Sequence, residues 1–237
     1  EVSSVVVATG WKPYDASKLT NMGFSSVPNV INNIMMERLA SVSGPTKGKI
    51  LRPSDQKPVE SVVFVQCAGS RDENHLPYCS SICCLGSLKH AKYVLEQNPK
   101  AKVHIFYIDI RTPGKYEDFV TKVQAEPNVN MIKGKVAKIV AGKEGGVLVE
   151  AEDILKLGKV HLEADMVVLA TGMEPNLKGQ AQVAGITLDE YGFVPVELQQ
   201  HGIFSAGVAK RPVDVNSSIQ DSTGTALKAI QIETGVN

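Results

Sequence analysis

An α/β fold of the nucleotide-binding kind, with a buried parallel sheet and two lobes, is what this sequence predicts, and three observations carry it. Short, uninterrupted runs of apolar and β-branched residues at 5–8, 62–65 and 166–170 suit strands covered on both faces. Segments of helical spacing alternate with them, followed by a small hairpin, which is the order of a nucleotide-binding domain. The first and third runs also end alike, in Val5-Val6-Val7-Ala8-Thr9-Gly10 and Met166-Val167-Val168-Leu169-Ala170-Thr171-Gly172, each with a proline three residues past its glycine, Pro13 and Pro175.

Taken in order, the strand at 5–8 is followed by a connector at 29–58, with a helix over 30–40 and then a stretch rich in Gly and Pro. After the strand at 62–65, Leu85, Leu88, Ala91, Tyr93, Val94 and Leu95 mark one face of a helix that Asn98 and Pro99 stop near residue 97. A strand at 103–108, a Pro113-Gly114 turn and a helix over 116–125 come next. Short strands at 129–132, 135–140 and 147–151 follow, the last two joined by the glycine-rich turn at 142–146. Boundaries are expected near 59 and 165, giving a Rossmann-like domain at 59–165 between residues 1–28 and 166–237, which would form the second lobe. The two strands ending in Ala-Thr-Gly are expected to lie side by side in that lobe.

Composition narrows the function. With 25 basic and 25 acidic side chains among 237 residues the net charge is zero, without the basic excess that phosphate neutralisation needs, so nucleic acid is not expected as a partner. No run approaches the roughly 18 apolar residues of a membrane span, and no basic and apolar leader opens the chain, so a cytoplasmic protein with no span of its own is expected. The chain enters a strand almost directly after Glu1, from which we expect a piece of a longer protein.

A strand ending in Ala-Thr-Gly leaves no bulky side chain at its carboxyl end, so a cofactor can approach the backbone there; Thr9, Gly10, Thr171 and Gly172 are therefore candidate cofactor contacts. All four cysteines fall between residues 67 and 84, as Cys67, Cys79, Cys83 and Cys84, in the pattern C-x11-C-x3-C-C. Adjacent cysteines rarely meet disulfide geometry without strain, whereas four thiolates from one loop and a helix start can hold a metal centre. The irregular spacing favours an iron–sulfur cluster over zinc, which prefers paired C-x2–4-C knuckles; a redox role for the thiols stays open. His75 lies in the same loop and reads as a surface residue, and the other four histidines are scattered without ligand spacing. No Ser-His-Asp or paired-carboxylate set can be traced, which weighs against a hydrolase.

The cysteine loop occupies the place of a dinucleotide fingerprint. Where G-x-G-x-x-G would follow the strand at 62–65, the chain reads Gln66-Cys67-Ala68-Gly69-Ser70-Arg71-Asp72, with side chains that would crowd or repel a pyrophosphate.

Phe64-Val65-Gln66-Cys67-Ala68-Gly69-Ser70-Arg71-Asp72-Glu73 with Tyr78-Cys79-Ser80-Ser81-Ile82-Cys83-Cys84 closely resembles the signature of the HdrA family, the A-type subunits of heterodisulfide reductase. Ser43-Gly44-Pro45-Thr46, Gly48-Lys49-Ile50, Arg52-Pro53-Ser54-Asp55 and Gly202-Ile203-Phe204-Ser205-Ala206-Gly207 match the same family, so the resemblance covers essentially the whole chain. It is strongest to the shorter, quinone-linked members, such as the A-type component of the quinone-interacting membrane-bound oxidoreductase complex, because the ferredoxin-type C-x2-C-x2-C-x3-C inserts are missing.

The resemblance implies a thioredoxin-reductase-like, two-lobed flavoprotein with FAD, a 4Fe-4S cluster on the four cysteines, and a Rossmann domain inserted in a truncated FAD domain. The first flavin-binding unit would precede residue 1. Gly207 would belong to the second flavin motif, and Val208 stands where an Asp usually bonds the ribitol. Asp214 and the helix over 217–230 would cap the flavin ring. Lys89, on the helix leaving the cluster, is the candidate catalytic residue: a cation there would favour the reduced state of flavin or cluster, although a solvated helix lysine is an equal reading. Implied partners are other subunits of a redox complex, heterodisulfide reductase-like or quinone-interacting, with adenylylsulfate reductase among them, and membrane association would come only through those subunits. Two other readings stay open: an ordinary pyridine-nucleotide disulfide oxidoreductase, whose redox pair is missing, and a zinc-stabilised interaction module. Because the glycine fingerprint is replaced, calorimetric titration with NADH or NADPH is expected to show no stoichiometric binding.

Overall fold

The computed structural model of the chain describes residues 2–112, 114–180 and 185–235; Glu1, and Pro113 of the expected Pro113-Gly114 turn, lie outside the described residues. The strands are β1 (Val5–Val7), β2 (Trp11–Pro13), β3 (Val30–Asn32), β4 (Ser61–Ala68), β5 (Lys102–Tyr107), β6 (Val129–Lys133), β7 (Val136–Ala141), β8 (Val147–Asp153), β9 (Gly158–Ala164), β10 (Met166–Thr171), β11 (Met173–Pro175) and β12 (Ile203–Ser205). The α-helices are α1 (Asn33–Ala40), α2 (Cys83–Gln97), α3 (Glu117–Gln124) and α4 (Val215–Thr234). The chain folds into two compact units. One comprises Asp15–Tyr78 and Cys83–Gly172, and the other the described residues up to Tyr14, Cys79–Ile82 and Met173 onward.

The larger unit is built on a parallel sheet in the order β3-β10-β4-β5-β6. Side chains alternate across a strand, so Val62 and Phe64 of β4 share one face with Ile105 of β5 and Val168 of β10. Onto that face pack Met36 and Leu39 of α1, Leu88, Ala91 and Val94 of α2, and Val120 and Val123 of α3 in one apolar core. α1 starts where it does because the Asn32 side chain accepts the backbone N–H of Met35 at 2.8 Å, capping the helix. A separate antiparallel sheet, β7-β8-β9, completes the unit.

Three expectations are corrected here. The segment at 166–170 does not open the second lobe: β10 lies inside the parallel sheet, and the units divide after Gly172. All six residues of β10 are buried, and a strand with no exposed side needs cover on both faces and partners on both edges, which an interior position supplies. Residues 29–58 are not a separate connector either, since they provide β3 and α1, and residues 15–28 go with the same unit. Finally, the two Ala-Thr-Gly strands are not neighbours. β1 pairs in parallel with β12, whereas β10 pairs with β3 and β4. What lies together is the sequence just past each glycine: β2 and β11 are antiparallel, with Pro13 opposite Met173 and Trp11 opposite Pro175.

In the smaller unit the sheets are two-stranded, β1 with β12 and β2 with β11. α4 carries a cap at each end, the Asp214 carboxylate accepting the Ser217 N–H at 2.7 Å and Gly235 closing it in the left-handed region. Along its 20 residues only Thr225 is buried, and Val215, Ile219, Leu227 and Ile230 are exposed, as are Val5 and Val6 of β1. Among the described residues no helix is long and apolar enough to cross a membrane.

At the amino end of the parallel sheet, Asp165 gathers several donors. Its carboxylate accepts the backbone N–H of Glu60 at 2.9 Å and of Ser61 at 2.8 Å, and the Ser61 hydroxyl at 3.1 Å. It also pairs with the buried guanidinium of Arg52 at 3.3 Å, which donates in turn to the Glu144 carbonyl at 3.0 Å. Asp165→Ala strands these donors, while Arg52 keeps its ion pair with Asp55 at 3.2 Å, and is expected to lower stability by about 1–3 kcal/mol in urea unfolding.

Candidate functional site

In the larger unit, β4 ends in a bulge. Its register against β10 shifts between the pairs Leu169–Val65 and Thr171–Ala68, so one extra residue is accommodated around Cys67, which itself takes φ 54°. Arg71, at φ 57°, is a second non-glycine residue of the loop in the left-handed region. Such conformations are costly and concentrate where the chain is shaped for a task. The Arg71 guanidinium meets Asp109 at 2.5 Å, tying the loop to the segment after β5. Burial pushes the Asp109 carboxyl up, but hydrogen bonds from Arg111 and Arg71 outweigh it and the net direction is down.

α2 opens with Cys83 and Cys84, both buried. The Cys83 thiol reaches the Thr171 carbonyl at 3.7 Å, and the Cys84 thiol the Asp109 carbonyl at 3.8 Å. The backbone N–H of Arg111 donates to the Cys84 sulfur at 3.4 Å. The structure therefore brings Cys83 beside Thr171, but as packing partners: Thr171 is wholly buried, its hydroxyl donating to Asn33 Oδ1 at 2.9 Å, which leaves it no surface for a cofactor. Cys79 belongs to the smaller unit, where the Ser81 N–H donates to its sulfur at 3.4 Å. None of the four cysteines is disulfide-bonded. Among the described residues, no group of three or more His, Cys, Asp or Glu is arranged to hold a metal ion.

The donor set and its surroundings suit a bound centre nonetheless. N–H groups directed at sulfur stabilise thiolate, and the start of α2 adds the positive end of a helix dipole. Next to Cys67, the buried Gln66 amide has no hydrogen-bond partner for either of its polar atoms among the described residues, and neither has the buried Ser87 hydroxyl one turn past Cys84. Buried polar groups are nearly always satisfied, so unmet ones at both ends of a cysteine loop fit a site completed by a bound group and its ordered water.

Lys89 stands further along α2, half-exposed. Its ammonium is ion-paired with Glu37 of α1 and lies 5.5 Å from the centre of the Tyr93 ring. Glu37 also accepts from His90 Nε2 at 2.8 Å, and the buried His90 ring stacks against Phe64. Neither partner is marked in the sequence: Glu37 belongs to the supposed connector, and His90 has no ligand spacing to single it out.

The smaller unit holds Thr9, Gly10, Gly207, Val208 and Asp214. The Thr9 carbonyl accepts from Asn176 Nδ2 at 2.7 Å and the Gly10 carbonyl from the Asn176 N–H at 3.3 Å. Gly10 has φ 68°, and a side chain there would meet Asn176 Nδ2 at 4.0 Å and no other described atom within that distance, so its backbone is approachable. Gly207, at φ 60°, donates its N–H to Asp221 Oδ2 at 2.8 Å, and Lys210 reaches the other oxygen at 3.0 Å. Val208 is buried, and Asp214 serves as the helix cap described above. Asp221, which no motif singles out, thus supplies an acid beside Gly207 from α4.

A family model described as pyridine nucleotide-disulphide oxidoreductase matches residues 98–227, more than half of the chain. The chain belongs to the pyridine nucleotide-disulphide oxidoreductase family. Among curated proteins it is 36% identical over 98% of its length to the A-type component of the ferredoxin/F(420)H(2)-dependent CoB-CoM heterodisulfide reductase of Methanosarcina acetivorans, covering 31% of that protein. It is 35% identical over 97% to the corresponding component of the H(2):CoB-CoM heterodisulfide,ferredoxin reductase of Methanothermobacter marburgensis, covering 37% of it. The chain thus spans about a third of the curated relatives it matches. Thioredoxin reductases share its fold: that of T. acidophilum has a TM-score of 0.58 at 17% identity, covering 99% of this chain and 66% of that one. The Lactococcus lactis enzyme has a TM-score of 0.60 at 14% identity, covering 98% and 67%.

Glu37 gives a pH prediction. The hydrogen bond from His90, with Lys89 adding to it against the cost of burial, lowers its carboxyl from 4.5 to about 2. A depressed carboxyl stabilises the fold fully above the unfolded value, and the stabilisation is lost as pH falls through the folded one. Because Glu37 is more than a third exposed, screening reduces the effect to about 1 kcal/mol. Glu37→Gln should be less stable than wild type by that amount near pH 6, and the gap should close as pH approaches 2.

Proposed function

We propose that this chain is the electron-transferring part of a redox subunit that uses FAD and a 4Fe-4S cluster, the reading its likeness to the A-type components of heterodisulfide reductases supports. One observation carries it: a cysteine loop, shaped by a bulge and left-handed residues, replaces the glycine fingerprint at the carboxyl end of β4. Cys67, Cys79, Cys83 and Cys84 would hold the cluster, which supplies one-electron transfer, while flavin supplies the exchange between electron pairs and single electrons. The residues around them prepare the charge. The N–H groups of Ser81 and Arg111 and the positive end of α2 stabilise thiolates, and Lys89 stands on the helix that Cys84 opens, its ammonium ion-paired with Glu37.

Toward the flavin, Gly10 offers approachable backbone, while Asp221 fixes the Gly207 N–H and Ser218 packs 3.4 Å from where a Gly207 side chain would begin. The exposed apolar faces of β1 and α4 would be covered by the preceding flavin-binding unit of a longer polypeptide, in line with the third of the relatives' length that this chain spans. Its partners would be other subunits of a cytoplasmic redox complex, heterodisulfide reductase-like or quinone-interacting, with adenylylsulfate reductase among the candidates; any membrane association would come through them.

Anaerobic reconstitution followed by iron, sulfide and flavin analysis tests the reading. A brown protein with about four irons per chain is expected, and Cys83→Ser should lose most of that iron while keeping the fold. Zinc alone, in a colourless protein, would favour the interaction-module reading instead.

A further inference from the structure

The turn between β8 and β9 takes no part in the proposed electron transfer, and its side chains are unusual. Ile154, Leu155 and Leu157 are 52%, 71% and 90% exposed, three large aliphatic groups within one turn. The turn is firmly built. The β8–β9 ladder runs up to the Asp153–Gly158 pair, the Asp153 carboxylate accepts the N–H of Leu155 and of Lys156, each at 3.0 Å, and the Ile154 N–H is held by the Lys133 carbonyl at 2.9 Å. Leu157 occupies the left-handed region at φ 52°, where a hairpin of this kind favours glycine. Stability is thus given up twice at one position, once in backbone strain and once in an apolar side chain left in water. Lys133, Lys156 and Lys159 stand exposed around the tip; the acids among them are the exposed Glu152 and the buried Asp153, which pairs with Lys156 at 3.9 Å.

We infer that this tip is a docking knob for a protein partner that presents an apolar pocket with an acidic rim. Charge sets the rim, since three lysines stand against two acids around the knob and the lysines are the more exposed. Shape sets the class of partner: a lipid surface accepts aliphatic side chains in any arrangement, whereas a turn that holds a leucine in a strained conformation specifies a fixed outline, which a protein pocket can match. The inference is independent of the cluster and the flavin, and stands or fails apart from them.

The test uses photo-leucine at position 155 in the protein purified with its natural complex. Irradiation is expected to yield one adduct, to a partner protein, at a site flanked by Asp or Glu. Leu155→Asp should weaken that association at least tenfold. Leu157→Gly, which relieves the strain, should weaken it as well while leaving the thermal midpoint unchanged or raised by about 2 °C. An adduct confined to the same polypeptide or to a second copy of it, the absence of any adduct, or tip-dependent binding to phosphatidylglycerol–phosphatidylethanolamine vesicles in place of a protein would overturn the inference.

Discussion

The complete burial of β10 is the constraint on which the rest of the larger unit depends. With no residue able to face water, the strand must have sheet neighbours on both edges and side chains packed on both faces. Its neighbours β3 and β4 are both parallel to it, and parallel strands cannot be joined by tight turns. The chain must therefore travel through α1 between β3 and β4, and through the whole of β5 to β9 before it returns as β10. Asp165, immediately before that strand, accepts the backbone donors that open β4, so the last strand of the sheet secures the start of its neighbour.

Much of this was legible in the sequence because parallel strands announce themselves as apolar runs. The runs at 62–65, 103–108 and 166–170 are β4, β5 and β10, and the helix over Leu85 to Leu95 is α2. Less legible was the allocation of strands to units. An apolar run reveals burial but not its neighbours, so β10 and its look-alike β1 could not be told apart, although one is wholly buried and the other leaves Val5 and Val6 exposed. β3 escaped notice for a different reason: three residues running directly into a helix leave no periodicity to detect. β9 alternates weakly, with Lys159, His161 and Glu163 facing out, and lacks an apolar run.

At the site, residue types were easier to read than their partners. The cysteine pattern is local, and sequence alone isolates it. The carboxylate that pairs with Lys89 comes from α1, far away in the chain, and the acid beside Gly207 comes from α4. In both, the acid is a side chain from another element, so inspection of the motif itself finds nothing. His90 illustrates the same point from inside the core: its ring fills space against Phe64 while one nitrogen serves Glu37, and neither role leaves a spacing signature.

The antiparallel pair formed by β2 and β11 bears on how such a chain could have been assembled. Pro13 and Met173 lie opposite one another, so the chain that leaves after Tyr14 for the larger unit resumes the smaller one at the same spot, apart from the short return of Cys79–Ile82. A segment whose two ends are already neighbours can be gained, exchanged or enlarged without pulling the host strands apart. The repeated Ala-Thr-Gly ending is then a matched pair of exits, one on each side of the excursion. Cys67, Cys83 and Cys84 lie within that excursion, and a change of loop there leaves the doorway as it was.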